Sequence, residues 1–302
     1  MGACKEALVM ILCADKWTDY TCIDAGDGEK LEQWNGVLLR RPDPQAIWPA
    51  DHSNPAWKNA DAVYHRSSKG GGQWEYRKKL PEFWTVSYQD LTFRVSPTGF
   101  KHTGLFPEQA VNWDWMSGLI RSHQHEQLRI LNLFAYTGGA TMACSAAGAA
   151  EVVHVDAAKG MVNWAKENRD LSHLQDHTIR FIVDDCLKFA EREKRRGHTY
   201  HGILMDPPSY GRGPNGELWK IEKELPRLIQ ACLDIFDDHG LFFLINGYTA
   251  GFSAIVLEDL MKTMFQNIPA NGTITSGEAA LPITGRDLKL PCGIYGRWQR
   301  ND

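Results

Sequence analysis

Four short segments of this 302-residue sequence carry residue types able to hold a nucleoside with an amino-acid tail and to act on a second molecule beside it. Tyr136-Thr137-Gly138-Gly139 reads as a tight turn entering a helix of small residues. Glycine there lets the backbone approach a ligand, and the helix start offers unpaired N–H groups to a carboxylate. Asp156 follows eighteen positions beyond Gly138, where an acid can accept both hydroxyl protons of a ribose. Asp184-Asp185-Cys186 offers a carboxylate to an adenine amino group, and Asp206-Pro207-Pro208-Ser209-Tyr210 joins an acid and an aromatic ring across two prolines. A single acid after a strand is usually a helix cap, so the weight lies in having all four segments in this order.

These segments need elements that bring them together. Short apolar runs at 129–134, 152–155, 179–183, 202–205 and 241–245 alternate with helical stretches at 140–147, 160–171, 187–195 and 221–236. Each chemical segment directly follows one of the first four runs. That alternation predicts a Rossmann-like α/β fold, a mostly parallel sheet covered by helices on both faces, with ligands beyond the carboxyl ends of its strands. Residues 1–105 read differently. Turn signals such as Ala25-Gly26-Asp27-Gly28 and Gly70-Gly71-Gly72 separate candidate strands at 20–24 and 37–40, and Trp84–Tyr88 and Leu91–Val95 flank a short Gln89-Asp90 turn. We therefore expect a small β-rich domain over 1–105, contacting substrate, and a catalytic domain over 106–302. A nucleotide-linked dehydrogenase would need Gly-x-Gly-x-x-Gly where Thr137-Gly138-Gly139-Ala140-Thr141-Met142 stands, and it has no use for Asp-Pro-Pro-x-Tyr. Methyl transfer from S-adenosyl-L-methionine is the expected chemistry.

Composition excludes several other classes. At 43% hydrophobic and 23% charged, the chain can build a large core. The apolar run at 7–14 is too short to span a membrane and lacks the features of a secretory signal, so no membrane partner and a cytoplasmic location are expected. The seven cysteines (Cys4, Cys13, Cys22, Cys144, Cys186, Cys232, Cys292) form no Cys-x-x-Cys pair, so neither a zinc site nor a disulfide framework is indicated. The net charge of −4 lacks the broad basic signature of many nucleic-acid binders. Basic residues cluster only at 65–69 with Arg77-Lys78-Lys79, and at 192–196.

Asn132-Leu133-Phe134-Ala135-Tyr136-Thr137-Gly138-Gly139 resembles the Asn-x-Phe-x-Tyr-Thr-Gly-Gly box of the bacterial 23S large-subunit ribosomal RNA methyltransferases of the I and K type. Val155-Asp156, Glu167-Asn168, Asp184-Asp185 and Asp206-Pro207-Pro208 follow in that family's order. Thr103-Gly104-Leu105-Phe106-Pro107-Glu108-Gln109 is similar to its Thr-Gly-x-Phe-x-Asp-Gln segment, which lies against the cofactor. The resemblance covers roughly residues 100 to 250. It implies a cofactor site built from Phe106 and Pro107, from Phe134 and Tyr136 to Gly139, from Asp156 and Ala157, from Asp185 and Cys186, and from Asp206. It also implies RNA, ribosomal RNA first, as the substrate, and leaves room for a homodimer.

Two departures from that family matter. Members that methylate cytosine C5 carry a nucleophilic cysteine after the fifth strand, because that carbon reacts only after covalent attack at C6. Here the stretch is Ile245-Asn246-Gly247-Tyr248-Thr249, which disfavours C5 chemistry. The family's Asp-Gln-Arg is Glu108-Gln109-Ala110, with one charge fewer. The fourth segment resembles the Asp-Pro-Pro-Tyr box of amino-group and ring-nitrogen methyltransferases, with one residue inserted. In that reading Asp206 and the Pro207 carbonyl, on the Asp206-Pro207-Pro208 frame, accept hydrogen bonds from a target N–H and aim its lone pair at the methyl group. Tyr210 would stack on the base, worth ~1–3 kcal/mol. A small-molecule or protein methyltransferase and a non-catalytic RNA-binding module remain as alternatives.

Overall fold

Buried strands of a sheet covered on both faces should be apolar on both sides, and those of this chain are largely so, with Asn132, His154 and Asn246 as buried polar exceptions. In a computed structural model describing residues 10–67, 71–123, 125–212, 218–248 and 251–301, the expected runs become β9 (Arg129–Leu133), β10 (Glu151–Asp156), β11 (Ile179–Val183), β12 (Gly202–Met205) and β15 (Phe242–Gly247). All are parallel neighbours in the order β11-β10-β9-β12-β15. Helix α1 (Ala110–Ser122) precedes them, α2 (Gly139–Ala146), α3 (Lys159–Leu171), α4 (Cys186–Arg196) and α5 (Ile221–Leu233) lie between them, and α6 (Ala254–Met264) follows. Alternate side chains serve opposite layers: Ile130, Val152, Leu204 and Leu244 join one core, and Leu131, Val153, Ile203 and Phe243 the other. Chain order reverses on either side of β9, so the carboxyl ends of β9, β10 and β12 open on one crevice.

The sheet extends well beyond these strands. A long antiparallel hairpin, β16 (Gly272–Ile283) and β17 (Leu288–Arg300), adds to β15 through β17. From β16 it passes to the N-terminal strands β2 (Tyr20–Gly26), β3 (Glu29–Trp34), β4 (Val37–Pro42), β5 (Ala62–Arg66) and β6 (Gly72–Tyr76), while β1 (Met10–Cys13) also pairs with β16. Residues on both sides of position 105 thus share one sheet. The expected hairpin is β7 (Trp84–Tyr88) and β8 (Leu91–Val95), with Gln89 at φ 52 in its turn. It is fastened to the α3 layer, where the Ser172 hydroxyl bridges the Thr92 backbone and Asn168 Oδ1 accepts from Arg94 N. A small ribbon, β13 (Tyr210–Arg212) and β14 (Leu218–Lys220), follows the Asp-Pro-Pro segment. Cys4, residues 7–9 of the apolar run, Ser68, Lys69, Gly70 and Thr249 lie outside the described residues.

The basic run at 192–196 closes α4, whose last turn carries Lys194, Arg195 and Arg196 ahead of Gly197 at φ 68. Cations there complement the helix dipole. Arg192 pairs with Asp184 at 2.6 Å and Lys194 with Asp234 at 2.8 Å, so this cluster has a structural account.

Candidate active site

The turn after β9 is wound tightly. Phe134 (φ 53) and Tyr136 (φ 51) are left-handed without being glycine, and Gly138 follows at φ 85. Such conformations cost ~1–3 kcal/mol each and persist where surrounding bonds enforce them. Here Ala135 N donates to Val155 O at 3.0 Å and Tyr136 N to Asp156 Oδ2 at 2.8 Å. The Asn168 amide donates to Thr137 O at 2.8 Å, and the Thr137 hydroxyl to Gly104 O at 2.5 Å. A Cβ at Gly139 would sit 2.5 Å from the Trp113 ring, so a larger residue at the start of α2 would force that ring to shift.

The neighbouring strands bring their acids to the same crevice. Asp156, at the end of β10, is clamped through Oδ2 by Tyr136 N and through Oδ1 by Ala158 N at 2.8 Å, and burial raises its carboxyl. Asp185 caps α4 by accepting Lys188 N at 2.9 Å, and Cys186 Sγ accepts Phe134 N at 3.3 Å. At the end of β12, burial pushes the Asp206 carboxyl up to about 6, and no side chain among the described residues bonds to it.

These groups face a cavity of about 490 Å³. Of the residues singled out in the sequence, Phe106, Pro107, Phe134 and Tyr136 line it, as do Asp156, Ala157, Asp185 and Cys186, and Asp206, Pro207 and Pro208 complete the set. Thr137 and Gly139 instead border a smaller adjoining recess with Asn132 and Asn246, and Gly138 borders neither. Tyr210 is 56% exposed and outside the lining. The aromatic ring at that place is Trp219 on β14, whose indole N–H donates to Pro208 O at 2.6 Å and whose ring centroid lies 5.2 Å from that of Phe134.

Several cavity residues were not apparent in the sequence. Glu108 is 5% exposed. Burial raises its carboxyl to about 7, with Lys30 opposing the rise and Asp206 adding to it. Its signal in the sequence is its place in the Thr103–Gln109 segment, where it stands as a departure from the motif. The N-terminal strands contribute Lys30 and Arg41, and the segment after β8 contributes Lys101 and His102. Nothing in their local pattern marks them, because tertiary contacts, the pairing of β2 with β16 among them, carry that wall to the crevice.

The ring face at Phe134, a clamped acid at Asp156 and a second acid at Asp185 form an acceptor and stacking set suited to an adenosine. Beside them, the glycine turn gives room for the amino-acid end. The residues present therefore fit S-adenosyl-L-methionine.

Comparison with known proteins agrees. The family model described as S-adenosylmethionine-dependent methyltransferase matches residues 52–265. The crystal structure of a SAM-dependent methyltransferase from Agrobacterium tumefaciens superimposes with a TM-score of 0.91 at 37% identity, covering 97% of this chain and 94% of that one. Ribosomal RNA large subunit methyltransferase K of Neisseria meningitidis is 23% identical over 248 residues, 80% of this chain and 68% of the relative. The K/L protein of Syntrophotalea carbinolica is 28% identical over 206 residues, 68% of this chain. The chain spans only 28% of that relative's length.

Proposed function

From the premise that the chain belongs to the S-adenosylmethionine-dependent methyltransferases, we propose that it methylates a base nitrogen in RNA, with large-subunit ribosomal RNA as the substrate. The observation that carries this reading is Asp206, a half-buried residue on a Pro-Pro frame, its carboxyl desolvated, unbonded by any described side chain and facing the cavity beside Trp219. The names of the relatives, ribosomal RNA large subunit methyltransferases K and K/L, supply the substrate class.

S-adenosyl-L-methionine supplies an electrophilic methyl group on a sulfonium centre. The chain's own residues bind, orient and dry the site, and positioning is the main source of acceleration in such a transfer. Asp206, once ionised, accepts a hydrogen bond from the target N–H, holds the lone pair in line and takes up the proton released on transfer. Trp219 stacks on the base, in the role first expected of Tyr210, which is exposed outside the cavity. Carbon methylation through a thiolate fits poorly. Cys186 and Cys292 both line the cavity, but burial drives both thiols well above their ordinary range, and thiolate is the nucleophile.

A homodimer in the cytoplasm completes the proposal, and sedimentation of the purified chain checks the dimer. Among the described residues no helix is long and apolar enough to cross a membrane. The function is tested by transfer of a labelled methyl group to ribosomal RNA, with nuclease digestion to identify the nucleoside. Labelled nitrogen-methylated base supports it. Label on protein or small molecules alone, or a covalent adduct with 5-fluorocytosine RNA, rejects it.

A further inference from the structure

The wall of the cavity built from the N-terminal strands carries more positive than negative charge. Arg41 donates to Glu32 through Nε at 2.6 Å and Nη2 at 2.9 Å, and its remaining arm, Nη1, donates to Lys101 O at 2.8 Å. Lys30 lies 3.6 Å from Glu32 and 3.4 Å from Asp43. Both carboxylates are therefore engaged by Lys30 and Arg41. Among the described residues, the Lys101 ammonium donates to the Pro42 carbonyl alone, at 3.5 Å. Three cations thus face two carboxylates in a partly enclosed space. Glu108 also faces this wall but is largely protonated below pH 7. His102 adds no charge, since burial and the neighbouring cations Arg41, Lys101 and Lys30 lower it to about 4. Burial lowers the Lys101 ammonium from its ordinary value, with Lys30, Arg41 and Arg66 adding to the fall and Asp43 opposing it.

We propose that Lys101, supported by Lys30 and Arg41, forms an anion-binding subsite that takes a backbone phosphodiester of the substrate strand while the base enters towards Asp206. This rests on the RNA reading above. It gives the N-terminal strands a part in substrate binding, and one excess positive charge matches the single charge of a phosphodiester. A partly desolvated cation holds such a partner more tightly than an exposed one, because less water screens the pair.

The test compares wild type, Lys101→Gln and Lys101→Arg as full chains at pH 6.5. Inorganic phosphate is titrated calorimetrically into protein loaded with S-adenosylhomocysteine. Wild type binds phosphate, Lys101→Gln binds about tenfold more weakly, the loss of one charge-assisted bond, and Lys101→Arg stays near wild type. Equal binding by wild type and Lys101→Gln, or none by wild type, overturns the subsite. A short single-stranded oligoribonucleotide tests the RNA reading separately. Its salt slope should fall by about one in Lys101→Gln. Phosphate binding without RNA binding keeps the subsite and removes the RNA reading, whereas RNA binding unaffected by Lys101→Gln removes the phosphodiester assignment. The cofactor's carboxylate is the other source of such an anion. If Lys101→Gln weakens S-adenosylhomocysteine but not 5′-methylthioadenosine, which lacks that carboxylate, the assignment to substrate is wrong.

Discussion

Glu108 gives a prediction whose size follows from its burial. Its carboxyl stands at about 7 against an ordinary 4.5, with the side chain nearly sealed from water at 5% exposure. A folded-state value above the unfolded one means the native state holds the proton more tightly. The contribution of Glu108 to stability is therefore greatest below pH 4.5 and is lost as pH rises through 7, where the buried group must ionise. At ~1.4 kcal/mol for each pH unit, the full loss is about 3 kcal/mol. Glu108→Gln keeps the shape and removes the titration. Urea unfolding of both proteins at pH 5, 6, 7 and 8 reads the difference directly. Relative to wild type, the variant should gain ~2–3 kcal/mol between pH 5 and pH 8, whatever its absolute stability, since a cost from the new amide does not vary with pH. Parallel curves for the two proteins across that range would refute a protonated Glu108 in the cavity wall.

Other consequences are as direct. Asp206→Ala should lower kcat by ~10²–10⁴ while leaving S-adenosylhomocysteine affinity within threefold by calorimetry, as expected for a group that handles the target proton. Because Asp206 must be ionised and stands at about 6, wild-type kcat/KM should rise with pH through that value, and the Asp206→Ala profile should lose this limb. Trp219→Ala should weaken substrate binding by ~1–3 kcal/mol, seen as a raised KM, whereas Tyr210→Ala should leave it near wild type. Gly139→Ala should cost ~1–3 kcal/mol in denaturant unfolding, because the new Cβ would meet the Trp113 ring at 2.5 Å.

The parallel half of the sheet was legible because β9, β12 and β15 are buried on both faces and so read as largely apolar runs, interrupted in β9 by Asn132 and ended in β15 by Asn246-Gly247. The β7–β8 hairpin was legible from alternation around a two-residue turn. Strand β3 was not, since Glu-Lys-Leu-Glu-Gln-Trp hides its inward side behind charges: Glu32 is fully buried and held by Arg41 and Tyr20. The β16–β17 hairpin was obscured by Gly277, Pro282, Pro291 and Gly293, which read as loop punctuation although strands of this length absorb them, with a register shift at Ala279/Ala280. In the site, acids that follow their own strands were legible, because local sequence fixes where a strand ends. Glu108, Lys101 and Trp219 were not, since each comes from a connecting segment or a short ribbon placed by tertiary packing. The antiparallel β13–β14 pairing, with Gly211 opposite Trp219, brings one ring to the cavity and leaves Tyr210 exposed.

The most direct measurement is mass spectrometry of modified nucleosides in large-subunit ribosomal RNA from a strain lacking this chain, beside wild type and strains complemented with wild-type or Asp206→Ala protein. One nitrogen-methylated base should be missing in the deletion strain, return with the wild-type chain and stay missing with Asp206→Ala. An unchanged nucleoside profile, or the loss of a carbon-methylated base such as 5-methylcytidine, would contradict nitrogen methylation of ribosomal RNA by this site.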